Sequence, residues 1–503
     1  MTETTMEKLQ ALFKRRGFVY PGSELYGGLA NTYDYGPVGT ELLRNIKNLW
    51  WKYFVQKRDD MVGLDASIIS HHKIWEASGH TAGFTDALVD CKNCKTRIRA
   101  DHLLEEWIGV NKQVDTAGKS SPTLTQEKIN AAFYTEKVEG WTPQEMGQFI
   151  KSFAVPCPVC DGNPGTEWTD VRKFNQLFPV QLGIVEGEQG LAYLRGETAQ
   201  GMFVDFDNVV NSTRVRLPFG IAQVGKSFRN EITLGNSVFR TIEFEQGEIE
   251  YFFDPKKSNW EELFAAWKNS MWKFVTNELG VKEENLRWRE HTDEERSFYS
   301  QRTEDLEYNF PFSSKGRSAS GRGFKELWGL AYRTDYDLSQ HEKHANRELV
   351  INDPETNEKI KPHVIEPAVG INRLFLMVLS DAYTEDSSGG SEQARVVLKL
   401  HPRLAPYKVA VFPLLKNKPE LVEKAREVYG MLKNAIDGIV IWDDRGNIGK
   451  RYLAQDEIGT PFCVTIDFET LEDGAVTVRD RDTAQQERVK IEELSNYLKT
   501  KLS

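Results

Sequence analysis

Between Ser227 and Glu250 the chain reads SFRNEITLGNSVFRTIEFEQGEIE, bringing Arg229, Glu231, Arg240, Glu243, Glu245, Glu248 and Glu250 around a Gly-Asn turn and the ring of Phe244. In a strand successive side chains alternate faces, so Arg229 and Glu231 share one face, and Arg240, Ile242 and Phe244 share one face of the partner strand. Where those faces coincide, two guanidinium groups, a carboxylate and an aromatic plate converge on one side. That set suits a nucleoside triphosphate held without a phosphate-binding loop. Arginine forks match phosphate oxygens bidentately, a ring stacks on a purine, and a carboxylate accepts from an exocyclic amine. The same pattern also describes a surface ladder of cross-strand ion pairs, and the hairpin alone leaves both readings open.

A second chemical set is formed by cysteine. Two C-x-x-C pairs, Cys91/Cys94 and Cys157/Cys160, accompany a lone Cys463. Two residues between thiolates let both sulfurs face one ion, and two such knuckles complete a tetrahedral Zn²⁺ site of the structural kind, with no open position for catalysis. The separation between the knuckles is longer than in a zinc ribbon, so a redox pair or unbound thiols stay open as alternatives. Cys463, in the β-rich run TPFCVTID, reads as a core residue.

These groups need a large scaffold. The chain has 503 residues, 40% hydrophobic and 28% charged, the make-up of a folded globular protein of about three domains. No apolar run is long enough for a membrane helix, and the N-terminal MTETTMEKLQALFKRRG lacks the apolar region of a secretory signal, so the expected address is cytoplasmic. A net charge of −11 argues against indiscriminate nucleic-acid binding while allowing a local basic groove.

Pro37 opens an amphipathic helical pattern through Leu42, Leu43, Ile46, Leu49, Trp50 and Phe54, a stripe that fits either the core or a dimer seam. Residues 88–168 carry both cysteine knuckles and a polar Ser/Thr/Gly stretch, and read as a module inserted between residues 1–87 and 169–390. Residues 170–255 alternate short apolar runs with turns, as an antiparallel sheet does, with VRLPFGIAQVGKSFRNEI and SVFRTIEFEQGEIEYFF as two strands joined by TLGN. A Trp-rich helix follows. The polar stretch TEDSSGGSEQ reads as a linker, and residues 391–503 alternate strand and helix as a separate α/β domain.

Three segments together resemble the signature of class II aminoacyl-tRNA synthetases: YDYGPVGTELLRNIKNLWW their motif 1, FRNE with the following R-x-x-x-F their motif 2, and GINR at Gly370–Arg373 their motif 3. The resemblance is closer still to the homodimeric glycyl-tRNA synthetases, through LYGGLANTYDYGPVG, ASGHTAGFTDALVDC, IRADHLLEE, YLRGETAQGMFVDF, EFEQGEIEYF, DLEYNFPF, ELWGLAYRTDYDLSQH, VIEPAVGINR and QDEIGTPFCVTID. These run from near residue 25 to near 485. The fold implied is α+β: an antiparallel-sheet catalytic core with the inserted Cys-rich module, plus a C-terminal α/β anticodon-binding domain. The activity implied is glycine–tRNA ligation, with Mg²⁺ and ATP, glycine and tRNA-Gly as partners, and a homodimer. Two rivals are a synthetase-like RNA-binding or polymerase-accessory protein without the chemistry, which has no reason to keep Arg229, Arg240 and Arg373, and a related ligase for another small amino acid.

Carried over motif by motif, Arg229 bridges the α-phosphate and the glycine carboxylate, Glu231 faces the adenine amine, and Arg240 holds the far phosphates. Phe244 and Arg373 sandwich the purine. Glu326 is the Mg²⁺ or ribose ligand with Leu327 beside it, and Asn230, Phe239 and Gly370 complete the ATP set. The glycine ammonium falls to Glu197 and Glu248 with Arg99 nearby, and Phe244, Glu245, Gln246, Glu366, Ala368 and Gly370 surround the amino acid. Ala368 stands where the family commonly has a serine, and Gly196 where proline is frequent. The stretch SSKGRSASGRGFK reads either as a loop that touches RNA or as a solvated insertion. In the C-terminal domain Lys450, Arg451, Arg479 and Arg481 are candidate RNA contacts.

Overall fold

The computed structural model describes residues 5–138, 140–160, 166–183, 190–231, 237–293, 295–297, 299–312, 323–353, 355–386 and 394–502. The TLGN loop and most of SSKGRSASGRGFK and TEDSSGGSEQ lie outside them.

A seven-stranded sheet organises the first 386 residues. Its strands are β1 (Met61–Gly63), β2 (Phe219–Phe228), β3 (Glu243–Phe253), β4 (Leu286–Glu290), β5 (Arg302–Asn309), β6 (Phe324–Thr334) and β7 (His363–Gly370), in the order β4-β5-β6-β7-β3-β2-β1. Six strands pair antiparallel, and β1 joins the edge of β2 in parallel. One face is closed by helices α1 (Pro37–Trp51), α3 (Trp260–Lys273) and α5 (Ile371–Ala382).

The apolar stripe of α1 is core in this chain: Leu42, Ile46 and Trp50 are fully buried. Gly247 of β3 sets how closely α1 approaches the sheet, because a Cβ there would lie 3.0 Å from the Trp50 indole and 3.2 Å from Ile371. On the opposite face α2 (Ala199–Val204) and α4 (Tyr336–Ala345) cover the far end of the sheet and, among the described residues, leave the near end open.

The cysteine module has its own core. Strand Thr85–Asp90 pairs with Arg97–Arg99 on one side and Arg172–Asn175 on the other, and three helices pack Leu104, Ile108, Ile129, Phe149 and Ile150 over this small sheet. The last helix, Pro143–Phe153, has Pro at its first position and a capping box between Thr142 and Glu145, which satisfies two otherwise orphaned backbone donors.

The C-terminal unit is a five-stranded mixed sheet of β8 (Tyr407–Pro413), β9 (Ile439–Trp442), β10 (Phe462–Ile466), β11 (Ala475–Asp480) and β12 (Gln486–Lys490), in the order β9-β8-β10-β11-β12. Helices Pro419–Ala435 and Ile491–Leu502 share its core. Cys463 is fully buried in β10, a packing residue. Three of the basic residues read as RNA contacts are structural instead. Arg451 is 2% exposed and donates to the carbonyls of Pro413 and Gly446 at 2.6 and 2.9 Å. Arg479 is clamped on Asp456 at 2.9 and 3.1 Å, and Arg481 donates to the carbonyls of Gly459 and Leu400. Only Lys450 of the four is exposed. Composition cannot separate an arginine that ties carbonyls together inside a fold from one that meets phosphate.

Candidate active site

The open end of the sheet carries a cleft of about 280 Å³. Alternation along β3 turns Phe244, Gln246 and Glu248 into it, and β7 adds Glu366, Ala368 and Gly370. Helix α5 begins at the rim and contributes Arg373, β6 contributes Glu326, and Glu197 projects from the turn before α2. The expectation that Arg229, Glu231, Arg240 and Ile242 lie on regular strands is not met. β2 ends at Phe228 and β3 begins at Glu243, so these residues lie beyond the paired strands, with one further bond from the Arg229 amide to the Ile242 carbonyl at 2.9 Å. Arg229, Glu231, Phe239 and Arg240 nevertheless reach the same cleft.

At the outer end Arg373 Nη1 donates to the Glu326 carbonyl at 3.0 Å and lies 3.1 Å from its carboxylate, while its guanidinium sits 4.6 Å from the Phe239 ring centre. The Arg373 charge holds the Glu326 carboxyl below the usual range. Arg240 and Glu231 pair at 3.3 Å. Arg229 lies 5.3 Å from the Phe244 ring centre and 5.1 Å from that of Phe84, with its Nε on the Gly196 carbonyl at 3.0 Å. The guanidinium is thus held between two rings and aimed by a backbone acceptor.

The inner end is acidic and buried. Glu248 accepts from the Thr198 amide at 3.0 Å and from the Thr198 hydroxyl. Glu197 lies 3.2 Å from His80 and accepts from Gln200 at 3.1 Å. Burial pushes Glu197 upward, but the His80 and Arg333 charges outweigh it and hold this carboxyl below its ordinary range. Burial, reinforced by the Glu197 charge, raises Glu248. Glu366 is raised well above its ordinary value by burial, although Arg333 Nη1 donates to it at 2.7 Å. A pocket walled by buried carboxylates has one obvious chemical preference, a small cation.

Four expected site residues fall elsewhere. Glu245 is on the opposite face of β3, paired with Lys47 at 2.9 Å, as the two-residue period of a strand requires. Leu327 is fully buried in the apolar core beneath β6. Arg99, on the module, pairs with Asp86 at 3.0 Å and Asp101, and it does not line the cleft. Asn230 also lies off the cleft, its amide bound to the Gln176 carbonyl at 2.8 Å.

Residue types alone did not single out several groups that are present. His291 and Asp305 line the cleft and pair at 2.7 Å, a contact that raises the imidazole's affinity for its proton. Arg333, on β6 behind Glu366, is fully buried and clamps Asp337 with two bonds of 2.7 and 2.8 Å. Arg333 lies at the end of β6 and Asp337 in the first turn of α4, so no helical spacing marks their pair, and nothing in WREHTDEE marks His291.

Away from the cleft, the four cysteines converge. Cys91 and Cys160 sulfurs are 3.7 Å apart, those of Cys94 and Cys157 3.8 Å, and one sulfur from each of the four lies within 4.8 Å of the others. A tetrahedron with Zn–S bonds of about 2.3 Å has edges of about 3.8 Å, so the sulfurs fit that ion.

An antiparallel sheet with a cleft lined by arginines, aromatics and carboxylates, followed by an α/β unit, has the architecture of a class II aminoacyl-tRNA synthetase. Residues 408–501 match the family described as Anticodon binding domain. Curated relatives named "Glycine--tRNA ligase" are similar along the whole chain. That of Clostridium perfringens is 49% identical over 504 residues, and that of Caldanaerobacter subterraneus 48% identical over 500, each alignment covering 99% of both proteins. That of Acetivibrio thermocellus is 48% identical over 497 residues, covering 99% of this chain and 98% of the relative. The chain belongs to the glycine–tRNA ligase family.

Proposed function

We propose that this chain activates glycine with Mg·ATP to glycyl-adenylate, releasing pyrophosphate, and then transfers glycine to the terminal ribose of tRNA-Gly. The observation that carries the reading is that Arg229, Arg240, Phe244 and Arg373 line one cleft whose inner end is walled by buried Glu197, Glu248 and Glu366. The nucleophile is the substrate carboxylate itself, so positioning and neutralisation of charge do the work. Arg229 meets the α-phosphate and the glycine carboxylate, and Arg240 the outer phosphates. Glu231 accepts from the adenine amine, and Arg373 with Phe244 holds the purine between them, Phe239 supporting Arg373. The ammonium enters among Glu197, Glu248 and Glu366, with Gln246, Ala368 and Gly370 closing the space that a larger amino acid would need. Exclusion by a wall matters, because preference for or against one methylene supplies only about 1–3 kcal/mol. Glu326 and Asp305 offer the hard oxygen ligands Mg²⁺ takes, and the ion supplies further neutralisation of phosphate charge.

The deciding experiment is ATP–pyrophosphate exchange with each amino acid in turn. Glycine alone is expected to support it, and Arg229→Ala is expected to abolish it while leaving circular dichroism and melting temperature intact. Exchange at the wild-type rate in that variant sinks the assignment.

In this reading residues 1–87 and 169–390 form the catalytic domain, 88–168 the inserted module with a structural Zn²⁺ on Cys91, Cys94, Cys157 and Cys160, and 391–503 the tRNA anticodon reader. The chain works as a cytoplasmic homodimer, an assembly supported by the motif 1 resemblance and a location to be checked by cell fractionation. No described helix is long and apolar enough to cross a membrane.

A further inference from the structure

Glu250 follows Glu248 on the cleft face of β3, one strand period deeper, and is completely buried. Among the described residues, neither of its carboxyl oxygens has a hydrogen-bond partner. The register that pairs Glu248 with Ala368 and Tyr251 with Ile365 sets Glu250 opposite Glu366 on the neighbouring strand. One carboxyl oxygen each from Glu248, Glu250 and Glu366 lies within 4.8 Å of the others. The groups facing this cluster are Glu248 on β3, Glu366 on β7, Arg333 on β6 and Asp337 on α4. Glu197 with His80 stands ahead of α2, and the Tyr299 ring lies 3.9 Å from the Arg333 guanidinium. Opposite Glu250 on β2 stands an uncharged residue, Ile221.

Charge cannot be distributed freely here. Arg333 donates from Nε and Nη2 to Asp337 and from Nη1 to one oxygen of Glu366, and among the described residues no donor is bonded to Glu250. An ionised carboxylate with no donor in full burial is strongly disfavoured, whereas a carboxylic acid needs only one acceptor for its proton. Burial raises Glu366 as well, so this pair cannot carry two anions; of the two only Glu366 has a donor among the described residues, Arg333 Nη1 at 2.7 Å, which places the single negative charge on Glu366 and the proton on Glu250. We propose that Glu250 is a positioning residue for amino-acid recognition: a neutral carboxylic acid whose O–H donates to Glu366, leaving that carboxylate ionised and aimed at the substrate ammonium. The direction of its titration agrees, since burial, with the Glu366 charge next, places Glu250 well above the ordinary carboxyl range. This inference rests on the glycine reading of the cleft.

The test compares wild type with E250Q, which keeps a donor of the same shape, and E250L, which keeps bulk and loses the donor. The carbonyl band of a protonated carboxylic acid is expected in the infrared spectrum of the wild type at pH 8 and is lost in E250Q. In glycine-dependent exchange, E250L is expected to raise KM for glycine about tenfold with kcat within about threefold, while E250Q stays within about twofold in both. A wild-type spectrum without that band overturns the proposal, as does an E250Q variant impaired as much as E250L, which would mean that Glu250 acts ionised. Should E250L fail to fold, the band and the E250Q kinetics decide. A wild type that shows the band yet exchanges with no glycine refutes the substrate assignment and not the proton on Glu250.

Discussion

At the scale of single residues the buried polar network behind the cleft is the most consequential feature. Gln200 ties it together: its amide nitrogen donates to Glu197 at 3.1 Å and to Asp337 at 2.9 Å, and its oxygen lies 2.9 Å from Nε2 of His341. His341 is thereby a neutral donor, and burial lowers its pKa from 6.5 to about 4. A histidine depressed in the folded state contributes stability that is complete above pH 6.5 and is lost as pH falls toward 4. The loss by pH 5 is about 2 kcal/mol, from the displacement between folded and unfolded values. Thermal melts at pH 7.5 and pH 5 are expected to show a larger drop for the wild type than for H341Q, and equal drops would exclude His341 as the sensitive group. Arg333 has the opposite character. Burial works against its charge, but Asp337 and Glu366 hold the guanidinium firmly protonated, so its role is to balance carboxylates and not to titrate.

At the scale of elements, the hairpin β2–β3 and the cysteine module show two ways of holding chemistry. The hairpin works by alternation: β3 sends Phe244, Gln246, Glu248 and Glu250 one way and Gly247, Ile249 and Tyr251 into the core beneath. The module relies on a short strand and a loop. Cys91 closes an isolated bridge with Trp168, bringing the two knuckles together from positions 66 residues apart in the chain, counting from Cys91 to Cys157. With a tetrathiolate Zn²⁺ site, ligand binding and local folding are coupled. Metal analysis is expected to find one zinc per chain. Cys157→Ser is expected to release it and to raise proteolytic cleavage within the module, while the catalytic sheet stays folded. A zinc-free preparation with a protease-resistant module would remove the metal from this picture.

At the scale of the whole molecule, the catalytic body and the C-terminal unit are joined through paired charges and backbone contacts. Arg15 and Arg16, from the helix Met6–Arg16, both meet Glu457, and Asn45 of α1 donates to the carbonyls of Leu404 and Ala405 at 3.2 and 3.1 Å. The first helix and α1 thus serve the core and the domain junction at once. The stripe of α1 is spent inside its own chain and is not available as a dimer seam. Sedimentation velocity at micromolar protein is expected to give a particle of twice the chain mass, and a monomer would end the homodimer proposal.

Much was determined by sequence alone, and for physical reasons that act locally. The strand period set Phe244 on one face of its strand, the Pro37 start and apolar spacing marked α1, and the two C-x-x-C pairs marked four cysteines that do lie together. Tertiary structure alone decided which charges are spent inside the fold. Arg99, Arg451, Arg479 and Arg481 look like ligand-binding arginines in a list of residues, yet each is held by carboxylates or carbonyls brought from distant segments. His291 and Arg333 carry no local signal that places them beside the cleft, and Glu250 differs from Glu248 only in depth. Burial and long-range partners set the charge state of a polar side chain, and neither exists until the strands are paired.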